Sequence, residues 1–139
     1  MKDSVNITWL DGLGFEADVS GKKVVIDATE NVGGKGRGPQ PKPLLMVSLG
    51  GCTAMDVISI LQKMRVEVKS FSVRVEGELT EEHPKHFTKM CIFYEFTGKN
   101  LPMDKLEKAV TLSQERYCGV SYNLRDAFEL THEISVNEI

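Results

Sequence analysis

A chain of 139 residues with a net charge of −3 and 41% hydrophobic residues has the composition of an ordinary globular protein. Its length predicts a single domain over residues 1–139 with a buried core. Basic and acidic residues alternate along the chain, which argues against a nucleic-acid partner. The N-terminal residues lack the pattern of a signal peptide, so the three cysteines are expected to be free or redox-active in the reducing cytoplasm.

Three short alternating segments at the N-terminus predict an antiparallel meander. They cover residues 5–10, 15–19 and 22–28, and turns rich in Asp, Gly and Ser separate them. Residues 30–40 are rich in glycine and show no periodicity. We expect this segment to be a flexible loop that leads directly into the next element.

The most apolar stretch of the chain covers residues 39–65 and predicts a long helix. Prolines precede this helix or occupy its first turn, where the missing N–H costs nothing. Apolar residues then fall on nearly every face, which is typical of a helix buried all round. Asp56 and Ser59 interrupt the apolar run, so we expect a core helix and no membrane span.

Two adjacent glycines, Gly50 and Gly51, lie inside this predicted helix. Each glycine destabilises a helix by about 1 kcal/mol relative to alanine. Two compensations fit the pattern. Either another backbone packs closely there, or the thiol of Cys52 needs an unhindered approach.

The rest of the chain predicts a hairpin, two helices and a last strand. The strands cover residues 66–80, 87–97 and 128–136, and the helices begin at Pro102 and Val120. Hairpin connections, in place of helical crossovers, predict an α+β fold. Mainly antiparallel sheets would wrap the long buried central helix.

Cys52 lies about halfway along the central helix and has two interpretations. A free cysteine on an apolar helix is usually a small core residue. Alternatively, the helix macrodipole and unoccupied N–H groups favour a reactive thiolate, although Asp56 at i+4 would oppose that effect. Spacing alone leaves both interpretations open.

The other two cysteines differ in their surroundings. Cys118 lies at the predicted end of the second helix, where Gly119 suits a helix C-terminus. It is either a packing residue or a resolving thiol with the mobility that disulfide exchange requires. Cys91 lies in the middle of a strand between Met90 and Ile92, and we expect it in the core.

No metal or cofactor site is predicted from the histidines and glycines. His83 and His86 share a hairpin loop, and His132 stands alone on a strand. The glycine-rich residues 33–38 lack the Gly-Lys-Ser/Thr ending of a phosphate-binding loop.

Two motifs together identify a family. The first is P-x-x-L-L-M-x-x-L-G-G-C-T-A-M-D around Cys52, and the second is S-x-E-R-Y-C-x-V around Cys118, 66 residues later. The pair resembles the OsmC/Ohr superfamily, and most closely its OsmC-like (YhfA-type) branch, over essentially the whole chain. The resemblance implies the OsmC-like fold and an intertwined homodimer, with two central helices buried together and an active site at the subunit interface.

The resemblance also implies thiol-dependent reduction of organic or other hydroperoxides, with both motif cysteines as catalytic residues. Cys52 would be the peroxidatic thiolate that attacks the O–O bond and becomes a sulfenic acid. Cys118 would condense with it to a disulfide, which an external dithiol reduces. No metal or organic cofactor is implied, because the sulfur carries the electrons.

The sequence departs from the family pattern in its activating residues. The glutamate that the family places nine or ten residues before the first cysteine is replaced by Pro43 and Lys42. The family's arginine in the N-terminal strands has no counterpart, since the first arginine is Arg37. An alternative is therefore a non-catalytic OsmC-fold dimer that binds an apolar small molecule at the subunit interface.

Overall fold

The computed structural model describes residues 1–139 and contains six strands and three α-helices. A 3₁₀ turn, Glu30–Val32, precedes the first helix, and a π-helical turn, Ser113–Tyr117, continues the second. In chain order the elements are β1 Asn6–Asp11, β2 Gly14–Val19, β3 Lys22–Ile26, α1 Pro41–Lys63, β4 Ser70–Leu79, β5 Phe87–Gly98, α2 Met103–Leu112, α3 Gly119–Leu124 and β6 Glu129–Glu138. The predicted α+β class is confirmed.

The chain comprises two compact units, residues 1–45 and residues 46–139. The first contains the sheet β1-β2-β3 and the second contains the sheet β4-β5-β6. Three of the four strand pairings are antiparallel, and only β6 runs parallel to its neighbour β5. The prediction of mainly antiparallel sheets is therefore confirmed, whereas the single domain over residues 1–139 stays a prediction.

The first unit is the predicted meander, closed by an ordered loop. The strand β3 ends at Ile26, two residues earlier than predicted, because Asp27 turns towards the following loop. The Asp27 carboxylate accepts a hydrogen bond from Arg37 Nε at 2.7 Å, and Arg37 Nη1 lies 2.9 Å from the Asp11 carboxylate. A side chain on Gly14 would overlap the Arg37 guanidinium. The glycine-rich loop predicted to be flexible is thus held by its arginine.

Helix α1 buries one face and exposes the other. The buried face carries Leu49, Val57 and Leu61, which join the core of the second unit. On the opposite face Val47 is 63% exposed and Met55 is 73% exposed. The prediction of a helix buried all round is wrong for the single chain, because its own sheet covers only one face. By length and composition α1 is long and apolar enough to cross a membrane, yet its buried face belongs to the hydrophobic core.

Strand β5 forms the centre of the second unit, paired with β4 on one side and β6 on the other. Its alternate residues Met90, Ile92, Tyr94 and Phe96 are fully buried. Cys91 points to the other face, opposite Glu76 and Thr131, and is only half-buried. The prediction of a core position for Cys91 is wrong because successive strand residues face opposite sides of the sheet.

The chain leaves α2 through the π-helical turn and reaches Cys118, whose backbone is extended. Helix α3 begins directly at Gly119. The expectation that Gly119 caps the C-terminus of the preceding helix is therefore wrong. Cys118 instead separates the two helical segments, and its side chain caps the start of α3 by accepting a hydrogen bond from the Ser121 amide.

Candidate active site

Cys52, Asp56 and Cys118 meet in the second unit. The two sulfur atoms and a carboxylate oxygen of Asp56 all lie within 4.8 Å of one another. Cys52 and Asp56 share a face of α1 because they are one helical turn apart. Cys118 joins them from the end of the π-helical turn, a distortion that is frequent at functional sites. The structure therefore brings together the two cysteines of the sequence motifs.

The two cysteines differ in their access to solvent. Both are free thiols. Cys52 is half-buried, whereas Cys118 is only 3% exposed. A solute that approaches the site therefore reaches Cys52 first. Cys52 lies in the middle of the 23-residue helix α1, and the macrodipole effect, which fades within the first turn, does not act on it.

Cys118 is held in place by backbone contacts. Its amide donates a hydrogen bond of 2.7 Å to the Ser113 carbonyl, and its sulfur accepts one of 3.4 Å from the Ser121 amide. Burial raises the pKa of the Cys118 thiol, the hydrogen bonds from Ser121 oppose this rise, and the neighbouring Cys52 adds to it. Burial therefore favours the protonated form of the Cys118 thiol.

A chain of buried and half-buried hydrogen bonds includes Thr53, the residue next to Cys52, and ends on Asp56. The Thr53 hydroxyl lies 2.7 Å from both the Tyr94 hydroxyl and the Ser113 hydroxyl. The Ser113 hydroxyl donates to Asp56 Oδ2 at 3.0 Å, and Gln114 Nε2 donates to the Tyr94 hydroxyl at 2.7 Å.

The donor in each hydroxyl–hydroxyl hydrogen bond follows from Asp56 at the end of the chain, because an ionised carboxylate can only accept hydrogen bonds. Ser113 must donate its single proton to Asp56, so Thr53 donates to Ser113 and Tyr94 donates to Thr53. Every hydroxyl in this chain is satisfied, and Asp56 is held in one orientation. Burial raises the pKa of Tyr94, although its hydrogen bonds with Thr53 and Gln114 oppose the rise.

This network is not predicted from the sequence, although Thr53, Ser113 and Gln114 lie inside or beside the two motifs. Two signals for the network were available in the sequence. One hydroxyl residue directly follows Cys52, and another begins the second motif. Tyr94 gave no signal, because it lies on β5, 41 residues from Thr53.

The two glycines of α1 have different surroundings. A Cβ on Gly50 would lie 2.9 Å from Val75 Cγ2, so the helix packs tightly on β4 at this point. A Cβ on Gly51 would meet nothing within 4 Å. Gly50 therefore serves close packing within the chain, whereas Gly51 leaves open space directly beside Cys52.

A cleft of about 440 Å³ opens beside the cysteine–carboxylate cluster. Apolar side chains form much of its wall, and Lys63 and Lys108 contribute positive charge. Its lining residues are Asp56, Ser59, Ile60, Lys63, Met64, Lys108, Leu112 and Tyr117. Because Asp56 lines the cleft, a small molecule in the cleft would lie close to the site.

The remaining candidate residues lie outside this cluster. The Arg37 guanidinium is bound by Asp27 and Asp11, and its hydrogen bond holds the pKa of the Asp27 carboxyl below its usual range. His86 Nδ1 bonds to the Pro84 carbonyl oxygen at 2.7 Å. The His132 ring packs edge-on against Tyr94.

The fold and the site define a class of α+β proteins in which two distant cysteines meet beside a long central helix. A family model described as OsmC-like protein matches residues 34–133. The Escherichia coli K12 protein YhfA is 37% identical over 131 residues, which cover 94% of this chain and 95% of that protein. The chain therefore belongs to the OsmC-like protein family, as its two motifs predict.

Solved structures show the same fold. A hypothetical protein from Aquifex aeolicus superposes with a TM-score of 0.83 at 29% identity and covers 99% of each chain. The organic hydroperoxide resistance protein OsmC from Legionella pneumophila superposes with a TM-score of 0.71 over 98% of each chain. Its 18% identity supports the shared fold alone.

Proposed function

We propose that the protein is a thiol-dependent peroxidase that reduces organic or other hydroperoxides through Cys52 and Cys118. The observation that carries this proposal is the proximity of the two sulfurs, which lie within 4.8 Å although the residues are far apart in sequence. Membership of the OsmC-like family supports the proposal. A fold neighbour named as an organic hydroperoxide resistance protein gives further support.

In the first step, Cys52 attacks a hydroperoxide that enters from the solvent side. The thiol proton passes through one water molecule to the Asp56 carboxylate as the sulfur bonds to the distal peroxide oxygen. The O–O bond breaks, and the alcohol leaves after it has taken that proton. Cys52 becomes a sulfenic acid, so sulfur is oxidised by two electrons and the peroxide is reduced by two.

In the second step, the Cys118 thiol attacks the Cys52 sulfenic acid, and water leaves as the disulfide forms. The sulfurs must approach to about 2.05 Å, which requires a movement of the chain around Cys118. Cys118 has an extended backbone between the π-helical turn and α3, and the movement costs its sulfur the hydrogen bond from the Ser121 amide that caps α3. An external dithiol then reduces the disulfide and restores both thiols.

We further propose that the protein acts as a homodimer with its site at the subunit interface. The exposed face of α1 carries Val47, Gly51 and Met55 at i, i+4 and i+8. A contiguous exposed apolar face marks an interaction surface. The open space at Gly51 allows the close approach of a second helix.

A second candidate is a non-catalytic dimer that binds an apolar small molecule. Two observations favour it: Lys42 and Pro43 replace the family's glutamate, and Ile60, Met64 and Leu112 line the cleft beside the site. Native mass spectrometry that finds a bound lipid-like molecule, together with a Cys52 that does not react with peroxide, would favour this candidate.

Hydroperoxide consumption in the presence of a dithiol separates the two candidates. We expect rapid turnover by the wild-type protein, no turnover by Cys52→Ser, and wild-type turnover by Cys91→Ser, the matched control. Equal rates for the wild type and Cys52→Ser would refute the peroxidase.

A further inference from the structure

We propose that reduced Cys52, Asp56 and Cys118 form a binding site for a thiophilic divalent cation of the zinc class. The site uses side chains of the candidate active site, but it does not depend on peroxidase activity. The sequence pattern predicts no such site, because the histidines lie elsewhere and the two cysteines are 66 residues apart.

The positions of the three ligand atoms fit a tetrahedral ion. Zinc binds cysteine sulfur at about 2.3 Å and carboxylate oxygen at about 2.1 Å. Two sulfurs bound to one tetrahedral zinc ion therefore lie about 3.8 Å apart. The three ligand atoms here already lie within 4.8 Å of one another, so a small contraction is sufficient.

The ligand types select the metal. Two thiolates and one carboxylate favour zinc and similar soft or borderline ions over magnesium or calcium, which prefer sites made only of oxygen. Asp56 forms no ion pair in this structure. Binding of the cation would displace the two thiol protons, and its charge would neutralise most of the negative charge of the resulting thiolates and the carboxylate.

The groups around the ligands are arranged as in known metal sites, where hydrogen bonds from neighbouring residues orient the ligands. Asp56 Oδ2 accepts a hydrogen bond from Ser113, which leaves its other oxygen available for a metal. The Cys118 sulfur is oriented by the Ser121 amide. The adjoining cleft gives an entry path and space for a water molecule as fourth ligand.

Metal binding and disulfide formation exclude each other, since both use the two thiols. The bound ion would shield Cys52 from oxidants, and oxidation of the pair would release the ion. The site would therefore hold metal only in the reduced protein.

The test is an anaerobic titration of the reduced full-length chain with Zn²⁺ against a chromophoric chelator, with Co²⁺ as a spectroscopic probe of thiolate ligation. We expect one ion per chain and a sulfur-to-cobalt charge-transfer band. Cys52→Ser and Cys118→Ser should lose both, whereas Cys91→Ser should retain both. Ser113→Ala, which removes the hydrogen bond to Asp56, should weaken affinity by about 10–100-fold.

Two outcomes would overturn the site. One is unchanged zinc affinity in Cys52→Ser, with circular dichroism confirming that the variant is folded. The other is equally tight binding to the disulfide form of the wild type. No peroxide is present in the titration, so absence of metal binding would not count against the proposed peroxidase. Absence of peroxidase activity would likewise not count against the metal site.

Discussion

Asp56 occupies an unusual position, since a carboxylate next to a cysteine ordinarily disfavours the thiolate by like-charge repulsion. The hydrogen-bond chain from Gln114 through Tyr94, Thr53 and Ser113 ends on its Oδ2 atom. Such a chain fixes the carboxylate, of which one oxygen lies within 4.8 Å of the Cys52 sulfur, a separation that one bridging water molecule would span for transfer of the thiol proton. Asp56 is therefore our candidate for a general base that activates Cys52 in a chain that lacks the family's glutamate and arginine.

Asp56→Asn should slow the reaction of Cys52 with hydroperoxide by about 10²–10⁴-fold, the usual contribution of a general base. Asparagine keeps the shape and the hydrogen bond from Ser113 but cannot take a proton. Stopped-flow measurement of the single-turnover rate checks this, with Asp104→Asn in the first turn of α2 as the control. A rate equal to or above that of the wild type would show that the carboxylate opposes the thiolate.

Thr53→Val should lower the free energy of unfolding by about 1–3 kcal/mol, because the buried hydroxyls of Tyr94 and Ser113 lose their shared partner. Valine has nearly the same shape, so little packing is lost. Urea denaturation of this variant and of Thr111→Val, at an exposed position on α2, measures the difference. Similar stabilities for the two variants would contradict a structural role for the chain.

At the scale of the elements, the ion pair between Arg37 and the buried Asp27 helps to hold the loop between β3 and α1. Asp27 has a lowered pKa in the folded protein because Arg37 donates a hydrogen bond to it. A carboxyl with a lowered folded pKa contributes stability above its unfolded pKa, about 3.9, and loses that contribution as the pH falls through the folded pKa.

Asp27→Asn should therefore destabilise the protein at neutral pH. As the pH falls below about 4, the stability of the variant should decrease less than that of the wild type. Unfolding curves recorded across this pH range, with Glu30→Gln as the control, measure the effect. Parallel stability–pH curves for Asp27→Asn and the wild type would argue against the ion pair.

The elements also show where sequence patterns lose information. Alternation in β5 was clear, but alternation alone does not say which face is the core, and Cys91 was assigned to the wrong one. Gly119 follows a helical segment as a capping glycine would, yet the π-helical turn shifts the chain so that Gly119 begins α3. Such a shift depends on tertiary packing and leaves no periodic signal.

At the scale of the whole molecule, the fold class and family followed from the order of elements and from two motifs. The meeting of Cys52 and Cys118 was implied by the resemblance, since residues so far apart carry no local signal of contact. Tyr94 and the role of Asp56 could not be predicted, because they depend on how β5 and the π-helical turn pack against α1. The exposed face of α1 was predicted as buried because its composition is uniform around the helix.

Met55→Glu should weaken the proposed dimer, because it places a charge on the exposed apolar face of α1. Size-exclusion chromatography with light scattering over a range of concentrations measures the effect. Thr111→Glu, which adds the same charge to an exposed position on α2, should leave the dimer intact. A monomeric wild-type protein would contradict the proposal directly, and so would a Met55→Glu variant as dimeric as the wild type.

The most direct test of the proposed peroxidase is peptide mapping by mass spectrometry after the reduced protein has reacted with one equivalent of an organic hydroperoxide. We predict a disulfide between Cys52 and Cys118 in the wild type, and in Cys118→Ser a sulfenic acid at Cys52 that dimedone traps. Oxidation at Cys91 in place of Cys52, or thiols that all remain reduced, would contradict it.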